Sequence, residues 1–177
     1  MYIWIGINVD SQLCDVKKQA LEIDRRLNFK NSCFTLPLHI SLKISLPVDD
    51  SKIQSVTGDI VEYYQSLKPF QIAIKGLEKD KNILWIRMVN NGDIDRIHDD
   101  LNEMLLERYS IGLHEYDLDY KFHTTLFMDG DEDKISKAYE YIKGVALPPS
   151  LTIDSFLIGT SKSGALGTYS VFKEIRV

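Results

Sequence analysis

His39-Ile40-Ser41-Leu42 and His123-Thr124-Thr125-Leu126 are two copies of one pattern: a histidine, a spacer, a small hydroxyl residue and a leucine, each within an apolar run. Short runs of this kind, rich in β-branched residues, read as strands. Successive strand side chains point to opposite faces, so in each copy the His and the hydroxyl share one face while the spacer and Leu take the other. A histidine with an ordinary pKa of about 6.5 gives or takes a proton near neutrality, and a neighbouring hydroxyl can donate a hydrogen bond to an anion. Two such units facing each other make a symmetrical acid–base pocket. By average composition a His is followed by this pattern in roughly one case in a hundred. Its presence at two of four histidines therefore marks a repeat.

Working outward, the same order of elements surrounds each copy. Tyr2 to Val9 reads as a strand, ending at Asp10-Ser11, either of which could cap a helix whose buried face is Leu13, Val16, Ala20, Ile23 and Leu27. Cys33 to Leu46 carries the first copy, Asp49 to Leu67 is helical, and Phe70 to Leu77 is a strand entering a charged turn at Glu78 to Asn82. Ile83 to Val89 opens the second round, followed by a helix along Ile94, Ile97 and Leu101, a loop from Gly112 to Asp117, and the second His-bearing strand, Leu118 to Met128. A helix from Asp129 to Lys143, a strand from Leu151 to Gly159, a loop from Thr160 to Gly167 whose Ser and Gly content suggests mobility, and a strand from Thr168 to Val177 close the chain. Trp4-Ile5 and Trp85-Ile86 lie 81 residues apart and the two motif histidines 84, so the unit itself is duplicated. The expected architecture is α+β: a single bilobal domain over residues 1–177, its pseudo-two-fold duplicated lobes presenting antiparallel-rich sheets to a central cleft, with helices outside.

Bulk properties narrow the function. A net charge of −5 argues against an extended basic surface for nucleic acid, while leaving room for a small phosphate-bearing ligand or an RNA end. Cys14 and Cys33 form neither a disulfide framework nor a zinc pattern. Met1 to Asp10 has no basic leader, and no apolar stretch reaches membrane-spanning length, so a cytoplasmic location is expected.

The two motifs, their spacing and the surrounding elements resemble the 2H phosphoesterases, and within them the 2′-5′ RNA ligase and cyclic phosphodiesterase group, over nearly the whole chain. Trp4 matches the aromatic position of that family's first strand, and Phe70 to Gly76 with Asn82 to Arg87 resembles its central hairpin. Leu151 to Phe156 and Tyr169 to Phe172 look like its last strands. The resemblance implies that His39, Ser41, His123 and Thr125 are catalytic, with no metal or cofactor. Its implied substrates are RNA ends bearing a 2′,3′-cyclic phosphate, or small nucleotides. The same chemistry run backwards is RNA end joining, and a binder that retained the pocket without turnover is a further reading.

In-line displacement at phosphorus needs a base at one end and an acid at the other, which two histidines supply; either one fits either role. Ser41 and Thr125 would hold the non-bridging oxygens. Lys43 and Lys121, two residues from the hydroxyl and the His respectively, count onto the same faces and would add positive charge. Trp4, Trp85 and Tyr169 are candidate base platforms, with Arg87 a phosphate contact on the Trp85 face. Lys43 is followed in the second copy by no counterpart, only Phe127-Met128, and this inequality is where substrate choice is expected to lie. His98 reads as a boundary residue on its helix. His114, with Asp117 or Asp119, invites a metal reading against the simpler one of a solvated loop.

Overall fold

The computed structural model describes residues 1–29, 33–118 and 120–177, with residue 116 described by its backbone alone. The elements are β1 (Tyr2–Asn8), α1 (Cys14–Leu27), β2 (His39–Pro47), α2 (Ile53–Gln65), β3 (Phe70–Asp80), β4 (Ile83–Met88), α3 (Gly92–Tyr109), β5 (His123–Met128), α4 (Glu132–Ile142), β6 (Ser150–Ile153), β7 (Ser155–Ser161) and β8 (Ser170–Arg176). Short 3-10 turns lie at Asp50–Lys52 and Glu115–Asp117.

The expected α+β fold with two antiparallel sheets is what forms: β2-β1-β7-β8 and β5-β4-β3-β6. Each sheet ends in its His-bearing strand, and these two edges, β2 and β5, lie against one another. The helices obey the same two-fold in a crossed manner. Helix α1 leaves the first sheet and packs on α4 and β5 of the second, while α3 leaves the second sheet and packs on α2 and β2 of the first. Their apolar faces, Val16, Ala20 and Ile23 on α1 and Ile94, Ile97, Leu101 and Leu105 on α3, are buried in the core. Burying such a side chain stabilises by about 1.5–3 kcal/mol, so these faces bind each motif strand to its neighbours.

The repeat in sequence is not the boundary of the sheets. β3, the last strand of the first round, sits beside β4 in the second sheet, and β7 returns to lie beside β1 in the first. The single strand expected from Leu151 to Gly159 divides at Asp154: β6 alternates Leu151 and Ile153 inward, whereas β7 is buried throughout except at Thr160. A strand covered on both faces loses its period-two signature, so the join is hidden in a continuous apolar run.

Both motif strands begin at the histidine itself, later than expected, because 34–38 and 120–122 are irregular. Asp10 does not cap α1, whose N-cap is Leu13. Instead its Oδ1 accepts from Leu38 N at 2.7 Å and pairs with Lys17 Nζ at 2.5 Å, which ties the residue before His39 to the end of β1. The loop expected to be mobile is cross-bonded: Ser161 Oγ meets Thr168 Oγ1 at 2.5 Å and accepts from Gly164 N at 3.0 Å. Gly164, at φ 72°, packs so closely over the Tyr2 ring that a Cβ would lie 2.7 Å from it. No helix among the described residues is long and apolar enough to cross a membrane.

Candidate active site

The two histidines are held alike. His39 Nδ1 lies 2.7 Å from the carbonyl of Pro37, and His123 Nδ1 2.5 Å from the carbonyl of Lys121, in each case two residues earlier. A carbonyl only accepts, so both Nδ1 atoms carry the hydrogen and each neutral ring keeps Nε2 as its proton acceptor. The irregular segments before β2 and β5 supply these carbonyls, which is why the strands start where they do. Each ring is also packed by a tryptophan: Trp4 meets His39 edge-on at 4.3 Å between centroids, and Trp85 meets His123 at 4.6 Å.

Beyond the hydroxyls both strands bulge, and the bulge reassigns the residues that face the cleft. β2 pairs with β1 as Gly6 to Ser41, Ile5 to Lys43 and Ile3 to Leu46, so the register shifts twice. β5 pairs with β4 as Trp85 to Thr125 and Leu84 to Phe127. An extra residue in one strand turns the alternation over. Leu42 and Lys43 are therefore both buried, as are Leu126 and Phe127, while Ile44 and Met128 come round to the cleft. Counting by twos places Lys43 beside Ser41; the fold places it behind the strand, 2% exposed, with Nζ donating to Asn102 Oδ1 at 2.5 Å and paired with Asp117. Phe127 occupies the matching place behind β5, stacked on Phe29 at 4.9 Å. The inequality of Lys43 and Phe127 is real but belongs to the buried side of each strand, not to the pocket.

Trp4 is likewise corrected. It is 6% exposed and lies across two glycines, where a Cβ on Gly6 would fall 2.5 Å, and one on Gly159 2.7 Å, from indole carbons. Little of its face is open for a base to stack on, and its Nε1 donates to Ser41 Oγ at 3.0 Å. Nor is it the register equivalent of Trp85: Trp85 stands opposite Thr125, but Gly6, not Trp4, stands opposite Ser41. Arg87 stands opposite His123, 9% exposed, with Nε 3.3 Å from Glu78. Lys121 is exposed, and it is its backbone that serves His123.

A cavity of about 340 Å³ opens beside the motifs. Its lining includes His39, Ser41 and Thr125 of the motifs, the apolar Leu36, Ile44, Met128 and Leu166, the ring of Tyr169, and the polar Thr35 and Ser45. The Tyr169 hydroxyl bonds Ser45 Oγ, which fixes the ring at the wall. Of the residues expected from sequence, the structure thus gathers His39, Ser41, Thr125, Trp4 and Tyr169 at the cavity and His123, Trp85 and Arg87 on the adjoining face of the second sheet. The wall residues Leu36, Ile44, Met128 and Leu166 went unrecognised because apolar side chains in loops and beyond a bulge carry no periodic signal.

Burial lowers the pKa of His39 to about 4; the Pro37 carbonyl opposes this and the His123 charge adds to it. Although the ring keeps some solvent exposure, the packed Trp4 removes enough water to disfavour the imidazolium. Burial also lowers His123, against the Lys121 carbonyl, with the Arg87 charge contributing.

His98 is buried, with Nε2 3.7 Å from Asp117 and its ring 4.8 Å from Tyr120. Asp117 is not solvated: it takes the Lys43 ammonium and the His114 N–H at 2.6 Å. Asp119, the other proposed partner of His114, lies outside the described residues. No group of three or more His, Cys, Asp or Glu that could hold a metal exists among the described residues.

The family model of the 2′-5′ RNA ligase superfamily matches residues 12–164, a span that contains both motifs. The chain belongs to that superfamily. Membership places it among phosphoesterase- and ligase-like enzymes. No curated protein matches the chain by sequence. Among solved structures, TT0787 of Thermus thermophilus superimposes with a TM-score of 0.64 at 15% identity, covering 99% of this chain and 97% of that one. E. coli LigT complexed with 3'-AMP gives 0.60 at 14% identity, covering 99% and 96%. LigT has also been crystallised with ATP, with a TM-score of 0.58, 12% identity and the same coverage. At these identities the likeness is one of fold.

Proposed function

We propose that this superfamily member is a metal-independent phosphodiesterase that opens 2′,3′-cyclic phosphates of RNA ends or small nucleotides. The observation that carries the reading is the matched pair of histidines, each with Nδ1–H given to a backbone carbonyl and Nε2 left as acceptor. In the opening reaction His39 Nε2 takes a proton from water, the water oxygen forms a bond to phosphorus, and the bond from phosphorus to one ribose oxygen breaks. His123, protonated, gives its proton to that leaving oxygen. Burial disfavours the imidazolium of His39, which leaves its Nε2 able to accept a proton. Burial disfavours the charged form of both histidines, and an anionic phosphate bound between them would favour it in one.

Ser41 and Thr125 hold the non-bridging oxygens, Arg87 adds positive charge beside His123, and Tyr169 and Trp85 are the candidate contacts for the base. Lys121 contributes its backbone carbonyl to His123. Crystallisation of LigT with 3'-AMP and ATP supports nucleotides as ligands for this fold. Joining of RNA ends is the reverse reaction in the same pocket, with a ribose hydroxyl in place of water. The test is a product assay with 2′,3′-cyclic AMP and with cleaved RNA halves, in chelator. Ring-opened monophosphate that forms undiminished in chelator supports the reading, and no turnover of any cyclic phosphate refutes it. A cytoplasmic location belongs to the same proposal.

A further inference from the structure

We propose that Glu78 is a specificity-determining residue of this site: as the counter-charge of Arg87, it sets the site against the doubly charged phosphomonoester that ring opening leaves, and so favours its release. The proposal rests on the phosphodiesterase reading for the place of the phosphate, beside His123 and Thr125; the rest comes from register, burial and charge. Two rows of cross-strand partners run from the second motif across its sheet. One is His123, Arg87 and Gly76; the other is Thr125, Trp85 and Glu78. Partners in a row share a face, so Arg87, Trp85 and Glu78 continue the face that carries the His and the Thr. Gly76 puts no side chain into the first row, and a Cβ there would meet nothing within 4 Å. Glu78 leans across to Arg87: its Oε2 is 3.3 Å from Arg87 Nε, while its Oε1 is 2.7 Å from Lys75 Nζ.

Exposure rises outward along this chain of charges, from 11% for the Arg87 side chain to 37% for Glu78 and 59% for Lys75. The guanidinium is the desolvated member, and a desolvated charge needs a partner. Arg87 Nε makes no hydrogen bond among the described residues, so charge rather than a directed bond couples it to Glu78. Lys75, and Arg87 after it, hold the Glu78 carboxyl below the usual carboxylate range, which keeps it ionised at neutral pH. With Glu78 in place the Arg87 pair is close to neutral, and a protonated histidine matches the single negative charge of a diester. Opening the ring yields a monoester with a charge of about −1.5 to −2. The added charge is opposed by the Glu78 carboxylate two strands away, about 10 Å by strand spacing. Substrate and product are thus told apart by charge on the same face that binds them.

The experiment is calorimetry at about pH 7.5, above the second pKa of about 6 of a phosphomonoester. The matched ligands are 2′-deoxyadenosine 3′-phosphate and its methyl ester, which differ by one charge. Glu78→Gln keeps the shape and an oxygen acceptor for Arg87 and removes only the charge. Coulomb energy scales with the charge of the ligand. A gain of about threefold for the diester, the scale of a partly exposed ion pair, therefore goes with about tenfold for the monoester. Inhibition by product during turnover of 2′,3′-cyclic AMP should strengthen in step. Glu78→Asp, which keeps the charge, should hold the parental ratio of the two affinities. Glu140→Gln, which removes an exposed carboxylate on α4, should leave both affinities unchanged. An unchanged ratio in Glu78→Gln, or a shift in Glu78→Asp as large as that in Glu78→Gln, overturns the proposal. Binding of the pair without turnover of 2′,3′-cyclic AMP sinks the catalytic reading alone; failure of both ligands to bind the parent protein overturns both.

Discussion

Trp4→Phe separates positioning from packing at the motif serine. The indole N–H donates to Ser41 Oγ at 3.0 Å, occupying a lone pair of the oxygen that, on the proposed mechanism, turns its hydrogen to the substrate phosphate. Phenylalanine keeps an aromatic ring over Gly6 and Gly159 but removes the donor. The lost hydrogen bond is worth about 1 kcal/mol, or roughly fivefold. The upper limit is the worth of Ser41 itself, about 3 kcal/mol if it acts as an oxyanion donor. We expect kcat on 2′,3′-cyclic AMP to fall by about fivefold, and by no more than about 150-fold, with KM changed by less than about threefold. The decisive assay is the double-mutant cycle. In a Ser41→Ala background Trp4→Phe should change kcat by no more than about twofold, because the donor has lost its target. Equal losses in both backgrounds would refute the positioning role and return Trp4 to the status of a core residue.

In an NMR titration of the free protein His39 should protonate near pH 4, well below the ordinary 6.5; a midpoint at 6.5 contradicts the packing described. Between those values the unfolded chain binds the proton and the folded one does not, so stability should fall as pH drops from about 6.5 to 4, by at most about 3 kcal/mol from this group. Asp117→Ala strands the buried Lys43 ammonium and should cost about 3–5 kcal/mol in denaturant unfolding, while Lys43→Met with Asp117→Ala should cost less. The double variant, if folded, should keep kcat within about threefold, since neither side chain faces the cleft; a far larger loss would restore Lys43 to the site. Gly159→Ala sets a Cβ 2.7 Å from Trp4 Cε3 and should destabilise by about 1–3 kcal/mol, an effect that Trp4→Phe should relieve in the melting curve.

Much of this was legible in the sequence, and the parts that were not have physical reasons. The histidines, the hydroxyls and the helical faces follow from local periodicity, which is set by backbone geometry and survives in any fold. Lys43 could not be placed by periodicity, because a bulge inserts a residue without any mark in the chain, and everything beyond it changes face. The exchange of β3 and β7 between sheets was hidden for a related cause: pairing partners are chosen by tertiary packing, and Asp154 is the only charged residue between Leu151 and Gly159. Trp4 looked like an open platform since nothing in a tryptophan says whether its face is covered. The paired glycines that cover it, Gly6 and Gly159, are 153 residues apart and meet only across β1 and β7.

The most direct test of the two-histidine account is the single-turnover rate on 2′,3′-cyclic AMP, in chelator, for the parent protein, His39→Ala, His123→Ala and the double variant. A base and an acid acting in one displacement predict that each single change slows the reaction by about 10²–10⁴-fold, and that the double change costs much less than the product of the two. Turnover at the parental rate in either single variant would contradict it.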